Sequence, residues 1–345
     1  MKKKILISVA AILLIAIVLA LFSALLVPKY ITNPEGRLTG EYYSQSSGND
    51  VIFLGDCEVY ETFVPAVLWE KYGISSYVRG SAQQLIWQSY YILEETFKYE
   101  TPKAVVFNVY SLKYGTPQSE AFNRMTFDTM RWSKTKFDAI FASMTEDESI
   151  VDYLFPLLRY HSRISELEAD DFKYCFTSPE PASDSGYLMQ TGIAPRPEET
   201  EAPRELRDYG FSQNAIGYLD KIKELCEKNE VELILVKAPT NSWNYYWYDE
   251  YEAQVEEYAQ KNELKYYNLI ESETDIGIDW SVDTYDEGFH LNVYGAEKTT
   301  EYFGKILSEE CQIPNRKSDA ELSEKWDERL RNYKERKEGM EADEK

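Results

Sequence analysis

The stretch Val51-Ile52-Phe53-Leu54-Gly55-Asp56-Cys57-Glu58 decides the fold. Its four consecutive apolar residues end at a Gly-Asp turn, a pattern that predicts a strand buried on both faces, as strands of parallel sheets are. The polar residues after the turn lie at the carboxyl end of this strand, where open α/β sheets bind ligands. The stretch therefore predicts the first strand of an α/β domain, followed directly by a candidate site.

Strands and helices alternate along the rest of the chain. Helices are predicted at Val64–Tyr72, Gln83–Tyr99, Gly217–Lys228 and Tyr251–Lys261, and further strands at Ser76–Val78, Lys103–Val109, Val231–Val236 and Lys265–Leu269. This alternation is typical of a parallel sheet with helices on both faces. We therefore predict a three-layer, flavodoxin-like α/β fold with about five parallel strands.

The N-terminus contains a candidate membrane anchor. From Ile5 to Val27 the chain is apolar apart from Ser8 and Ser23, and this segment exceeds the roughly 20 residues that cross a bilayer. Lysines at 2–4 precede it, so the positive-inside rule predicts an extracytoplasmic C-terminal domain. The alternative is a cleaved signal peptide, whose apolar core usually has about 7–15 residues. We expect a single-pass protein of the cell membrane.

The remaining segments differ in composition. Residues 1–27 are predicted to be the cytoplasmic tip and anchor, 28–48 a polar stalk, 49–312 the α/β domain, and 313–345 a charged tail that is a solvated helix or disordered. An insertion at 115–210 has helical patterns followed by a loop rich in Pro, Ser and Glu. Long insertions are often functional lids, so we expect it to cap the site.

Composition excludes some classes of function. The net charge of −23 repels phosphates, which argues against nucleic acids and anionic lipid headgroups as partners. The four cysteines are widely spaced and form neither a metal-binding pattern nor a dense disulfide framework, so no metal or cofactor is expected. The 28 Tyr and 7 Trp fit a domain that handles glycans, although aromatic core packing also explains them.

The chain has the residues for acyl transfer, which needs a nucleophile, a base and donors for the oxyanion. Only two histidines exist. His290 lies in a loop before the last helix, with Asp286 and Glu287 nearby to orient its imidazole; a structural histidine that caps the loop is the alternative. His161, in the insertion, is expected to pack or to contact substrate.

Two blocks far apart in the sequence resemble the SGNH (GDSL) hydrolase family. The family has Gly-Asp-Ser after its first strand, and Gly55-Asp56-Cys57 occupies that place here. Its last block is an Asp and a His just before the C-terminal helix, which His290-Leu291-Asn292 matches. The resemblance covers about residues 50–310 and is greatest to exported Gram-positive members.

The resemblance implies roles for individual residues. The family nucleophile is Ser, so Cys57 is its counterpart, and Glu58 adds a negative charge that disfavours a thiolate. The family carboxylate stands three residues before the His, where this chain has Glu287; Asp286 is preferred because Glu287 and Gly288 can loop out. Gly80 and Asn108 match the oxyanion donors, although the usual Gly-x-Asn-Asp pattern around Asn108 is absent and Asn108 also fits a strand end.

The resemblance also implies a function. We expect an acyl-ester hydrolase or O-acyltransferase that acts on a cell-envelope polysaccharide, with a membrane-bound O-acyltransferase as an implied partner. Lys237 and Asn241 follow the fourth strand and are candidates for substrate binding, and the aromatic run at 243–248 is a candidate glycan-stacking wall. The alternatives are a non-catalytic module that binds glycan or acts as a scaffold, and a structural subunit of an envelope complex.

Overall fold

The computed structural model describes residues 2–45, 48–197, 203–242 and 245–343. Its centre is a sheet of five parallel strands in the order β2-β1-β3-β4-β5. This is the order of flavodoxin-like doubly wound sheets. The strands are β1 (Val51–Gly55), β2 (Ser76–Gly80), β3 (Ala104–Asn108), β4 (Glu232–Lys237) and β5 (Lys265–Asn268).

Helices cover both faces of the sheet. Alternate residues of β1 enter two different apolar clusters, Ile52 and Leu54 on one face and Val51 and Phe53 on the other. The first face packs against α5 (Ile86–Thr96), α11 (Gln213–Lys228) and α12 (Asp249–Lys261), and the second against α3 (Cys57–Tyr60), α4 (Pro65–Tyr72) and α14 (Val293–Glu309). The three-layer α/β prediction is confirmed.

β2 continues two residues beyond its predicted end. Arg79 is buried in this extension, a position that a charged residue occupies only when it is paired. Its guanidinium lies 3.8 Å from the ring centroid of Tyr42, and its Nε donates to Thr96 Oγ1 at 3.1 Å. These partners come from distant helices, so local sequence did not indicate the full length of the strand.

The predicted stalk is wrong for most of its length. Residues 34–37 form a 3-10 turn, and α2 (Leu38–Gln45) packs into the domain with Leu38 and Tyr42 buried. Glu41 of α2 accepts hydrogen bonds from the backbone N–H groups of Ala182 and Ser183. The folded domain therefore begins before residue 49. The sequence did not indicate this, because an eight-residue helix with two core positions is too short to recognise by its periodicity.

The charged tail contains α15 (Ala320–Asp343), which packs on the domain and is therefore not a freely solvated helix. Trp326 and Tyr333 are buried, and the Trp326 ring stacks on Trp69 of α4 with centroids 5.8 Å apart. Trp69 Nε1 donates to Asp327 at 2.9 Å. Buried aromatic residues thus help to attach a helix whose other residues are mostly charged.

The insertion has two parts with different neighbours. Its helical part packs along α5 and beside the N-terminal helix, and is formed by α6 (Glu120–Phe127), α7 (Lys134–Ser143), α8 (Ile150–Leu154), α9 (Leu157–Tyr160) and α10 (Ala169–Lys173). Among the described residues of the insertion, those of the loop part approach the His290 loop, where Ala194 N donates to Thr284 O and Glu287 N to Ala194 O. The predicted cap is thus limited to this loop.

The N-terminal helix α1 (Lys2–Leu26) has 25 residues and is long and apolar enough to cross a membrane. The short helix α13 (Glu273–Ile276) follows β5.

Candidate functional site

Four neighbouring strands end at the candidate site. β1 leads into Asp56, which caps α3 by accepting a hydrogen bond from Glu58 N at 3.3 Å, so Cys57 stands at the first position of that helix. β2, β3 and β4 end at Gly80, Asn108 and Lys237. Parallel strands place their carboxyl ends at one edge, so these residues and the His290 loop converge there.

Asp286 orients His290. Its Oδ2 lies 2.6 Å from the imidazole Nδ1, and its Oδ1 accepts from His290 N at 2.8 Å. Because a carboxylate only accepts, Nδ1 carries the proton of this bond. Glu287, the residue at the family's usual spacing, is exposed and has φ of 65°, so it loops out as the sequence had suggested.

A second carboxylate, Glu61, was missed by the sequence analysis. Its Oε2 lies 3.3 Å from His290 Nδ1, and its Oε1 accepts from the hydroxyl of Tyr285 at 2.9 Å. Burial raises the pKa of Glu61 to about 7, against the opposing effects of His290 and of the Tyr285 hydrogen bond. The signal for Glu61 was its position one helical turn after Cys57, because residues four apart share a helix face.

The thiol of Cys57 and the imidazole of His290 interact. Burial raises the pKa of Cys57, while the interaction with His290 lowers it. Burial alone would lower the pKa of His290, but Glu61, Cys57 and Asp286 outweigh it and hold this pKa well above 6.5. His290 Nε2 is buried and has no hydrogen-bond partner of good geometry within the described chain. Since Nδ1 is engaged, Nε2 is the nitrogen that remains for the thiol proton.

Glu58 was expected to disfavour a thiolate at Cys57 by its negative charge, but in the structure this charge is paired. Its carboxylate is fully buried and pairs with the ammonium of Lys237 at 2.8 Å. Lys237 also donates to Ala238 O at 2.7 Å. The groups that raise the pKa of the thiol by their charge are Asp56 and Glu61, and Glu58 is not among the main ones. Lys237 is therefore part of a buried ion pair and is not exposed for substrate binding, contrary to the prediction.

Asn108 has the position of an oxyanion donor, but its amide is engaged. Nδ2 donates to Glu58 Oε2 at 2.9 Å and approaches Asp56 Oδ1 at 3.4 Å, and Oδ1 accepts from Ala238 N at 3.1 Å. The side chain thus joins β1, β3 and β4. Nδ2 has two hydrogens, and giving the second to an oxyanion would replace only its long contact with Asp56, while the bond to Glu58 stays. The structure therefore shows Asn108 at a strand end, and its role as an oxyanion donor stays a prediction.

Asp56 shares this buried environment. Burial, followed by the charge of Glu58, raises its pKa to about 7, although Lys237 and His290 oppose the shift. Asp56 and Glu58 flank Cys57 in the sequence: burial favours the protonated form of Asp56, whereas the carboxylate of Glu58 is paired with Lys237.

Gly80 ends β2 beside Gly55 at the end of β1. A Cβ at position 80 would lie 2.9 Å from Tyr60 Cδ1 and 3.2 Å from Gly55 O. Close packing of α3 against β2 therefore requires glycine here, independently of any role for its N–H. The placement is the expected one, and the packing gives a structural reason for the residue.

Tyr245 lies beside the thiol and belongs to the aromatic run at 243–248 that the sequence proposed as a glycan-stacking wall. Its hydroxyl lies 3.6 Å from Cys57 Sγ, and its ring packs edge-on against the rings of His290 and Phe289. Cys57 is only 8% exposed. Tyr245 therefore covers part of the approach to the sulfur.

The remaining predicted site residues are Asn241, His161 and the aromatic run at 243–248. Asn241 accepts from Arg196 through both its backbone O and its Oδ1, and lines a cavity of about 160 Å³ with Thr240 and Trp247. His161 is exposed in the insertion, next to α1 and away from the sheet edge, so the structure does not bring it to the site. Trp243 and Asn244 of the aromatic run lie outside the described residues.

The four cysteines are all free. Within the ranges that the structure describes, no group of three or more His, Cys, Asp or Glu side chains could hold a metal ion. No protein-family model matches the chain. A search of curated proteins gives no significant match.

Proposed function

We propose that this protein is an acyl-transfer enzyme anchored to the outer side of the cell membrane, in which Cys57 is the nucleophile, His290 the acid and base, and Asp286 the residue that orients His290. One observation carries the proposal: Asp286 Oδ2 lies 2.6 Å from His290 Nδ1, at the same end of the sheet as the Cys57 thiol, and the two groups shift each other's pKa. A nucleophile, a base and an orienting carboxylate in this arrangement are the parts of an acyl-transfer triad.

The reaction would proceed in two steps. Cys57 Sγ attacks the ester carbonyl, its proton passes to His290 Nε2, and His290 returns a proton to the leaving alkoxide, which gives a thioester and a free alcohol. Water or a sugar hydroxyl then gives its proton to His290 and attacks the thioester, which releases a carboxylic acid or a new ester and restores the thiol. The substrate we propose is an O-acylated envelope glycan, and a membrane-bound O-acyltransferase is the proposed partner.

The electrostatics predict how reactivity depends on pH. Two carboxylates hold the proton on His290, and burial holds the proton on Cys57, so the pair releases its next proton only above neutrality. The reactive thiolate–imidazolium or thiol–imidazole form therefore becomes more populated as pH rises. We expect the acylation rate of Cys57 to increase from pH 6 to pH 9.

The test is acylation of the full chain in nanodiscs by an activated ester such as p-nitrophenyl acetate. Cys175 is partly exposed and could itself be acylated, so it is replaced by Ser in every variant. Cys226 and Cys311 are buried and are left unchanged. Peptide mass spectrometry should find acyl-Cys57 at a rate that rises with pH. His290→Gln should slow this rate by roughly 100-fold, and Asp286→Asn should also slow it.

Glu287→Gln is the matched control, since it removes a neighbouring carboxylate that does not touch the imidazole, and it should leave the rate unchanged. The proposal fails if Cys57 in the folded chain is not acylated, or is acylated equally fast without His290.

The second candidate is a non-catalytic module with the same fold that binds envelope glycan. The specific observation in its favour is that Asn108 Nδ2 is committed to Glu58 and that Cys57 is nearly inaccessible. In that case the chain would bind envelope polysaccharide equally well with Cys57 or with Cys57→Ala, and would turn over no ester.

A further inference from the structure

The helical part of the insertion carries exposed apolar side chains close to α1. Five of them form what we name the membrane-side patch: Leu154, Phe155, Leu158, Ile164 and Phe172. Phe155 is 62% exposed and Phe172 61%. They lie on or beside α8, α9 and α10, and of these α9 and α10 contact α1 directly. Leu154, Phe155 and Leu158 line one groove, and clustered exposed apolar surface of this kind marks an interaction site.

A groove joins the patch to α1. It has a volume of about 330 Å³, with Leu19, Ala20 and Ser23 of α1 on one side and residues 154–158 of the insertion on the other. Arg163 fastens the two sides, since its Nη1 donates to Leu26 O at the end of α1 at 2.6 Å and its Nη2 pairs with Asp171 at 3.0 Å. The patch is therefore held at a fixed height along α1.

That height lies within the bilayer if α1 spans it. An α-helix rises about 1.5 Å per residue, so Leu19 lies roughly 12 Å below Val27 along the helix axis. A hydrocarbon core is about 30 Å thick, so each leaflet contributes about 15 Å. Residues 154–158, which share the groove with Leu19 and Ala20, are thus at the depth of acyl chains.

We propose that the membrane-side patch is embedded in the leaflet from which α1 emerges, and that lipid acyl chains fill the groove between α1 and residues 154–158. The inference rests on α1 as a membrane anchor and is independent of the acyl-transfer proposal. Because the chain has a net charge of −23, electrostatic attraction to anionic headgroups does not explain why the patch would enter the membrane. Apolar contact with acyl chains is the driving force, and zwitterionic lipid should be sufficient.

The test uses the full chain in phosphatidylcholine nanodiscs, with Cys175→Ser and a bimane label on Phe155→Cys or Leu158→Cys. Two quenchers report the surroundings of the label: phosphatidylcholine with a doxyl group on its acyl chain, and aqueous iodide. Leu19→Cys in α1 is the positive control, and Gln260→Cys, on the exposed side of α12, is the negative control.

Embedding predicts that doxyl lipid reduces bimane fluorescence at 155 and 158 to a similar extent as at 19, that iodide has little effect there, and that 0.5 M NaCl changes neither result. The opposite pattern, with quenching by iodide and none by doxyl lipid, places the patch in water and overturns the proposal. Protection from both quenchers means that a second copy or another protein covers the patch, which overturns it equally.

Discussion

Glu58 and Lys237 form an ion pair without solvent exposure, although they are 179 positions apart in the chain. A buried charge whose partner is removed typically costs about 3–5 kcal/mol. We expect Lys237→Met to lower the free energy of unfolding by roughly this amount. The double variant Glu58→Gln/Lys237→Met should recover most of the loss, because no charge is then left buried. Denaturant unfolding followed by tryptophan fluorescence measures both.

Lys71→Met is the control for this pair. Lys71 lies 3.0 Å from Glu301, but both side chains are about half exposed. Exposed pairs contribute about 0–1 kcal/mol, so this variant should be nearly neutral. A Lys237→Met variant that is no less stable than Lys71→Met would contradict the buried pairing.

The Glu58–Lys237 pair also shows what the sequence left undetermined at the site. Gly55-Asp56-Cys57 and His290 were recognisable because each follows a local pattern at a strand end or before a helix. The partners of Glu58 were not, since they depend on which strands become neighbours. Asn108 and Lys237 reach Glu58 only because the sheet places β3 beside β1 and β4 beside β3. Asp286 was preferred over Glu287 because Glu287 and Gly288 can loop out. This is a local property of the chain, and the structure has this loop.

Among the elements, α15 packs on the domain through buried aromatic residues and through hydrogen bonds of Arg329 and Arg336. It is mostly charged, and Trp326 and Tyr333 are its buried residues. Truncation of a buried aromatic residue to Ala costs about 3–5 kcal/mol. We expect Trp326→Ala to destabilise the domain by roughly that much and to make α15 susceptible to limited proteolysis, because the stack on Trp69 is lost.

Trp132→Ala provides the comparison for Trp326→Ala. Trp132 is 49% exposed, so the same change should have a much smaller effect on the denaturation midpoint and none on cleavage within residues 320–343. Equal proteolysis of α15 with and without Trp326 would show that other contacts hold the helix.

Predictability differs between elements for a physical reason. All five strands were located from the sequence, with ends that differ by at most two residues. β1, β3 and β4 are buried and largely apolar runs, whereas β5 is only partly buried and was recognised by its place after α12. α2 and α15 are mostly polar, and each has only a few buried side chains, Leu38, Thr39 and Tyr42 in α2 and Trp326 and Tyr333 in α15. Their periodic signal is weak, and their positions depend on distant partners such as Ala182 and Trp69.

For the whole molecule, several buried groups share one direction of pKa shift. Burial raises the pKa of Asp56 and of Glu61 to about 7 and that of Asp184 to about 6. The pKa of His290 is raised too. In each case the folded chain binds the proton more tightly than the unfolded chain does. The resulting stabilisation is fully present below the unfolded pKa and is lost as pH rises through the folded pKa.

Lysines do not reverse this trend in the acidic and neutral range. Burial lowers the pKa of Lys113 and of Lys136 to about 8. A lysine whose pKa is lowered by folding contributes stability at a pH above its unfolded pKa, and this contribution is lost as pH falls through about 8. The contribution of these two lysines therefore changes little between pH 5 and 7. The raised groups therefore determine the trend in that window.

We expect the free energy of unfolding to decrease as pH rises from 5 to 7, and Asp56 to account for roughly 2 kcal/mol of the decrease. Asp56→Asn should remove that part of the slope, because an amide keeps the cap of α3 but cannot ionise. Glu257→Gln, on the exposed side of α12, controls for the loss of one negative charge and should leave the slope as it is. Denaturant titrations at several pH values measure the three slopes. If the slope of Asp56→Asn equals that of the unaltered chain, the carboxyl of Asp56 is not held protonated by burial, and the account of the acids around the thiol is wrong.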